Sequence, residues 1–109
     1  MKKIILSFLL YLPLTLFAEN TKLKEHYNEL GVNNLDRIKN ALLKNGISER
    51  QIDSVLRGMI RLIKGAKVHG ENFDMNQRMK IYFERRIGLN QKQIQNVMDI
   101  SLRIAKRLE

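Results

Sequence analysis

The chain of 109 residues contains no cysteine and no tryptophan, and its single proline is Pro13. Without cysteine, no disulfide framework can form, so packing alone must hold the protein together. Because proline interrupts helices, its absence after residue 13 leaves the rest of the chain free to be helical. Strict alternation of apolar and polar residues, the pattern of β-strands, is also lacking. These absences predict an all-α domain.

The first 18 residues have the three parts of a secretory signal peptide: a basic start, an apolar run from Ile4 to Phe17, and the small residue Ala18. The run is shorter than the ~20 residues that a membrane-spanning helix needs, and Pro13 interrupts it. We therefore expect cleavage after Ala18, a single domain over residues 19–109, and a periplasmic or secreted protein. A retained membrane anchor is the alternative.

The chain is strongly basic, with 20 lysines and arginines against 11 acidic residues and a net charge of +9. Removing Lys2 and Lys3 with the signal leaves 18 basic residues, so the excess belongs to the domain. Such a balance favours acidic protein surfaces, anionic lipid or nucleic acid as partners, although export argues against nucleic acid. The alternative is that the charge only keeps the protein soluble. A domain this small has a thin core, which a homodimer would supplement.

Hydrophobic spacing predicts a small bundle of four to five short helices, arranged as two helical hairpins. A short first helix is expected around Leu23, Tyr27 and Leu30, and a second from Asn33 or Asn34 to Gly46. A third runs from Ser48 to a loop that spans Gly65–Asn72, and a last one runs from Gln91 to Leu108. Between them, a fourth begins at Asn72 or Asp74, ends at Gly88 and carries Met75, Met79, Tyr82, Phe83 and Ile87.

An internal repeat aligns residues 46–64 with residues 88–106, with six of 19 positions identical. Each copy starts with a glycine that ends a helix, an aliphatic residue over the turn, and a polar cap for the next helix. The turn and cap residues are Gly46, Ser48, Gln51, Gly88, Asn90 and Gln93. Any short helix–helix turn has similar features, but capping does not require Arg61 to recur as Arg103. Duplication, or selection for two equivalent turns, is the preferred interpretation.

The two turns, Ile47-Ser48-Glu49-Arg50-Gln51 and Leu89-Asn90-Gln91-Lys92-Gln93, resemble the paired LTxxQ motifs of the periplasmic Spy/CpxP family. Neither motif contains threonine, and the helices are shorter than is usual in the family. The resemblance covers roughly residues 35–108. It implies a curved antiparallel homodimer that binds partly unfolded or stress-related periplasmic proteins without ATP.

No catalytic, cofactor or metal site is predicted. A zinc site needs three or four closely spaced ligands, whereas the only histidines, His26 and His69, lie on separate segments. Of the serines in the mature domain, Ser48 is explained as a helix cap and Ser101 lies on the apolar side of its helix. No nucleophile elbow, phosphate loop or paired carboxylate motif is present. We therefore expect a protein that is not an enzyme.

Basic residues do form a pattern along the third and fourth helices, interleaved with aromatic residues. The candidate partner-binding residues are Arg57, Arg61, Lys64, Arg78, Tyr82, Phe83, Arg85, Arg86 and Arg103. Such a surface suits an acidic and apolar segment, because arginine pairs with carboxylates while its stem and aromatic rings bury carbon. A solvated helix face, with Tyr82 and Phe83 in the core, is an equal alternative.

These patterns favour an exported protein-binding domain that is chaperone-like or related to envelope stress, with other exported or unfolded proteins as partners. The alternative is a cationic amphipathic protein that lies on an anionic membrane or envelope surface.

Overall fold

The computed structural model describes residues 22–108, which form a small all-α bundle of five helices and contain no strand. The predicted fold class is thereby confirmed. The predicted signal peptide lies outside the described residues.

Helix α1 covers residues 22–30, α2 covers Leu35–Lys44, and α3 covers Glu49–His69. A 3-10 turn, Gly70–Asn72, follows α3. Helix α4 covers Gln77–Ile81 and continues as a π-helical turn over Tyr82–Ile87, and α5 covers Gln91–Arg107.

Helices α3 and α5 form the centre of the bundle, because they pack against each other more extensively than any other pair of described helices. Their buried stripes are Ile52, Val55, Leu56, Met59, Leu62, Ile63 and Ala66 on α3, and Ile94, Val97, Met98, Ser101 and Ala105 on α5. The other helices cover this pair with apolar residues at helical spacing.

Helix α1 is fixed to α3 by Tyr27, whose ring is fully buried. The hydroxyl of Tyr27 donates a hydrogen bond to the carbonyl oxygen of Leu56, with an O···O distance of 2.6 Å. Burial raises the pKa of the Tyr27 phenol, since ionisation would place a charge in the core. The short first helix therefore belongs to the folded core.

The prediction that α3 ends in a loop starting at Gly65 is wrong, since the helix continues to His69. Gly65 is present because the ring of Phe73 packs against the backbone there. A side-chain carbon at position 65 would lie 2.6 Å from Phe73 Cζ. Gly58 makes room for Phe83 in the same way, with a corresponding distance of 2.7 Å. A glycine inside a helix costs about 1 kcal/mol relative to alanine, which this close packing offsets.

The predicted start of the fourth helix is also wrong. Asn76 caps α4, because its side-chain oxygen accepts a hydrogen bond from the backbone N–H of Met79 at 2.9 Å. Asp74 instead accepts a hydrogen bond from the N–H of Met75, its neighbour in the chain. Met75, which was predicted to lie on this helix, precedes it and is buried.

Candidate functional site

The turns α2–α3 and α4–α5 have the same backbone plan. Gly46 and Gly88 both adopt positive φ angles, +83° and +89°, that favour glycine. The next residues, Ile47 and Leu89, are both buried. A polar residue then begins the second helix of each hairpin, so the repeat seen in the sequence corresponds to two turns of matching geometry.

The glutamines of the two turns form reciprocal hydrogen bonds. The side-chain N–H of Gln51 donates to the carbonyl oxygen of Ile87 at 2.9 Å, and that of Gln93 donates to the carbonyl oxygen of Asn45 at 3.3 Å. Each acceptor immediately precedes the glycine of the opposite turn. Each turn therefore makes the same kind of contact with the other, as two parts related by a two-fold axis would.

Each glutamine also uses its side-chain oxygen within its own turn. The oxygen of Gln51 accepts from the backbone N–H of Ser48 at 3.0 Å, and the oxygen of Gln93 accepts from that of Asn90 at 3.0 Å. An amide is the side chain that supplies both an acceptor and a donor for these two roles. This accounts for glutamine at the last position of both motifs.

Three of the predicted arginines lie around one groove between α3 and α4. Its lining residues are Arg57, Gly58 and Arg61 from α3, with Arg78, Met79 and Tyr82 from α4 and its π-helical turn. This α3–α4 groove has a volume of about 320 Å³, and no acidic residue occurs in the part of its lining that the structure describes. Tyr82 is half-buried, and its hydroxyl lies 3.4 Å from the carbonyl oxygen of Ser54, to which it donates.

A second groove lies beside the first, between α1 and α3. Its lining residues are Lys22, Leu23, His26, Arg57, Ile60, Arg61 and Lys64, and its volume is about 570 Å³. Arg57 and Arg61 belong to both linings, so the two grooves form one continuous basic surface, which we call the α1–α3–α4 surface. The charged residues described in its lining are all basic. Its apolar surface comes from the partly or fully buried side chains of Leu23, Ile60, Met79 and Tyr82.

The other predicted partner-binding residues are placed elsewhere. Phe83 is fully buried against Gly58, so its assignment to a binding surface is wrong. Arg85 and Arg86 are exposed but line neither groove. Arg103 lines a separate groove between α2 and α5. The sequence therefore predicted that the surface is basic, but it predicted only part of the set of residues that line it.

Residues that sequence reasoning did not assign to a binding surface include Lys22 and Met79 of the α1–α3–α4 surface, and Arg37 of the groove between α2 and α5. Their positions depend on which helices become neighbours, and hydrophobic spacing within one helix does not give that information. For Arg37 a signal was available, because a shift of 41 residues aligns it with Arg78 and aligns Lys39 with Lys80.

The two histidines and the buried serine lie apart from one another and contact different parts of the bundle. His26 lines the α1–α3 groove, and the ring of His69 is stacked on that of Phe73 with a centroid distance of 6.1 Å. The hydroxyl of Ser101 donates to the carbonyl oxygen of Val97 at 2.8 Å. Over residues 22–108, no three potential metal-ligating side chains come together. None of the helices described there is long and apolar enough to cross a membrane.

No protein-family model, characterised protein or solved structure matches the chain.

Proposed function

We propose that the protein is exported by its N-terminal signal and binds acidic, apolar segments of other exported proteins at the α1–α3–α4 surface. The observation that carries this proposal is the α3–α4 groove. There Arg61 and Arg78 come from different helices and line the groove together with Met79 and Tyr82, and the lining residues described between 22 and 108 include no acidic one.

The chemistry of this groove suits carboxylates next to apolar side chains. A guanidinium pairs with a carboxylate through two parallel hydrogen bonds, which makes it more selective than an ammonium group. Met79 offers a flexible and polarisable surface, and Tyr82 offers a ring with a polar tip. Such groups adapt to many partners, because none of them requires one fixed shape.

Exposed ion pairs contribute little individually, typically below about 1 kcal/mol. Binding at this surface therefore depends on several arginines and on apolar contact acting together. This favours weak binding to many unfolded or partly folded clients, which is the behaviour of a chaperone-like holding protein that does not use ATP.

The resemblance to the LTxxQ-motif family supports the same proposal. In this chain the final glutamine of each motif ties one turn to the other. The family resemblance also implies a homodimer, which we include in the proposal. Location in the periplasm follows from the signal peptide and is part of the same hypothesis.

The proposal is tested by measuring how the protein, purified after export, suppresses aggregation of an acidic client that has been diluted from denaturant. We expect protection by the wild type and at least a several-fold weaker effect for the double variant Arg61→Gln with Arg78→Gln. The matched control is Arg50→Gln with Arg86→Gln, which removes the same charge from exposed positions outside both grooves.

Two outcomes would contradict the proposal. No protection by the wild type would remove it, and an equal loss in both double variants would show that only total charge matters. A parallel measurement with vesicles of phosphatidylglycerol tests the membrane alternative. Tight binding to these vesicles, together with no client protection, would favour a membrane-surface protein.

A further inference from the structure

The groove between α2 and α5 has the same chemistry as the α3–α4 groove. It is lined by Gly31, Val32, Asn34, Arg37, Ile38, Ala41, Ile100, Arg103, Ile104, Arg107 and Leu108, and its volume is about 410 Å³. Three arginines lie around an aliphatic floor, and none of the described residues in the lining is acidic. All three arginines are exposed.

The two grooves lie at corresponding places in the two hairpins. Each is formed by the first helix of one hairpin and the second helix of the other. On the second helices, the shift of 42 residues that aligns the turns pairs Arg61 with Arg103 and Gly58 with Ile100. All four residues line one of the two grooves, at corresponding positions.

On the first helices, the correspondence requires a shift of 41 residues. This shift pairs Arg37 with Arg78, Ile38 with Met79, and Ala41 with Tyr82, and every one of these residues lines its groove. Each groove thus has one arginine from a first helix, a matching arginine from a second helix, and an apolar side chain next to the first arginine. The third arginines, Arg57 and Arg107, do not correspond, because the shift of 42 pairs Arg57 with Asp99.

The change of shift from 41 to 42 has a structural cause. The buried anchor Leu42 precedes Gly46 by four residues, whereas the buried anchor Phe83 precedes Gly88 by five. The π-helical turn Tyr82–Ile87 holds the extra residue, since such a turn is a one-residue insertion in an α-helix. The residues that line the two grooves therefore correspond before the insertion at a shift of 41 and after it at a shift of 42.

We propose that the chain is bivalent, and that the α2–α5 groove is a second site for acidic, apolar protein segments. This inference rests on the proposed function of the α3–α4 groove, because it assigns the same class of ligand to its equivalent. The charge complementarity is the same at two arginines, with Arg37 and Arg103 in the places of Arg78 and Arg61.

The two sites differ in the apolar side chains that they offer. The α2–α5 groove presents branched aliphatic residues, Ile38, Ile100 and Ile104, where the α3–α4 groove presents Met79 and Tyr82. Acidic segments with aliphatic residues are therefore the expected ligands of the second site. A client with two such segments gains avidity, because binding of the first raises the effective concentration of the second.

Isothermal titration calorimetry of the exported protein with a synthetic peptide that alternates glutamate and leucine tests this inference. We expect two peptides per chain for the wild type. The variant Arg37→Gln with Arg103→Gln, and separately the variant Arg61→Gln with Arg78→Gln, should each retain one strong site and lose at least about tenfold in affinity at the other, which corresponds to 1.4 kcal/mol.

The outcomes separate the inference from the function on which it rests. One peptide per chain, with binding unaffected by Arg37→Gln plus Arg103→Gln, overturns bivalence and leaves the α3–α4 groove as the site. No binding by the wild type overturns both. Thermal unfolding curves show whether each variant is folded, which we expect because the four arginines are exposed.

Methyl NMR of the wild-type protein gives a measurement that requires no variant. Met79 reports on the α3–α4 groove, and Ile104 reports on the α2–α5 groove. Bivalence predicts that titration with the same peptide shifts both signals. A shift at Met79 with none at Ile104 at saturation contradicts it.

Discussion

The hairpins α2–α3 and α4–α5 share a turn but differ in how their helices fill the core. In the second hairpin a large ring, Phe83, lies where the first has Leu42, and this ring packs against Gly58 of α3. The residue that corresponds to Gly58 on α5 is Ile100, which lines the α2–α5 groove together with Ile38 and Ala41. The larger ring in the second hairpin thus goes with a smaller residue on the helix that it packs against, as close packing requires. A repeated turn therefore does not require a repeated core.

The largest expected effect is the removal of the ring that distinguishes the second hairpin. We expect Phe83→Ala to lower the free energy of unfolding by about 3–5 kcal/mol, because it leaves a cavity next to Gly58. Urea unfolding followed by circular dichroism measures this loss. Leu42→Ala, at the corresponding buried position of the first hairpin, should cost about 2–5 kcal/mol. A loss below about 1 kcal/mol for Phe83→Ala would show that the ring is not part of a closely packed core.

The glycine under that ring should be the next most sensitive position. Gly58→Ala is expected to destabilise the protein by about 1–3 kcal/mol through overpacking against Phe83, although alanine is the better helix former. Thermal unfolding gives the measurement. Lys67→Ala, at an exposed position of the same helix, is the control and should change stability by less than about 0.5 kcal/mol. A stabilised Gly58→Ala variant would show that Phe83 can move away from α3 without loss of stability.

Substitution of the reciprocal glutamines tests the hydrogen bonds between turns that both hairpins make. Gln51→Glu keeps an acceptor for the cap of its own helix but removes the donor to Ile87, so we expect a loss of about 1 kcal/mol. Gln93→Glu should cost a similar amount through Asn45. Gln91→Glu, in the first turn of α5, is the control, since an acid there interacts favourably with the helix dipole. Urea unfolding of all three variants is the measurement, and equal behaviour would contradict the role of the donors.

The smallest expected effect concerns α1, whose hydroxyl contact is with α3 of the first hairpin. Tyr27→Phe removes the hydrogen bond to Leu56 and should cost about 0.5–1.5 kcal/mol at neutral pH. Because burial raises the pKa of Tyr27, the folded protein keeps this proton at a pH where the unfolded chain loses it. The stability of the wild type relative to Tyr27→Phe should therefore be constant below about pH 10 and fall above it. Urea unfolding at several pH values measures this difference, and a difference that grows with pH would contradict it.

Much of the fold could be predicted because it depends on local patterns. The buried stripe on α3, including Ile52, Val55 and Met59, follows from helical spacing, and Gly46 and Gly88 mark the ends of helices. Gly65 was misassigned because a glycine that ends a helix and one that admits a ring look alike in sequence. The ring of Phe73, which explains the glycine at position 65, comes from a different segment of the chain.

The candidate site was less predictable for a related reason. Arg57, Arg61 and Arg78 were identified from charge and spacing, but their meeting around Met79 depends on how α3 and α4 cross. Phe83 and Tyr82 are adjacent in sequence, yet one is buried and the other lines the groove. Adjacent residues of a helix lie about 100° apart around its axis, so one can be buried while its neighbour faces a groove.

The glutamine pair has a consequence for how far the long helices can slide along each other. Apolar stripes such as those of α3 and α5 define an axial position less sharply than hydrogen bonds do, since the same kinds of side chains recur along them. The donors of Gln51 and Gln93 reach carbonyl oxygens of the opposite turn in one axial position. Their main contribution is therefore to select a single register for the bundle, a role that polar residues at helix interfaces also have in coiled coils.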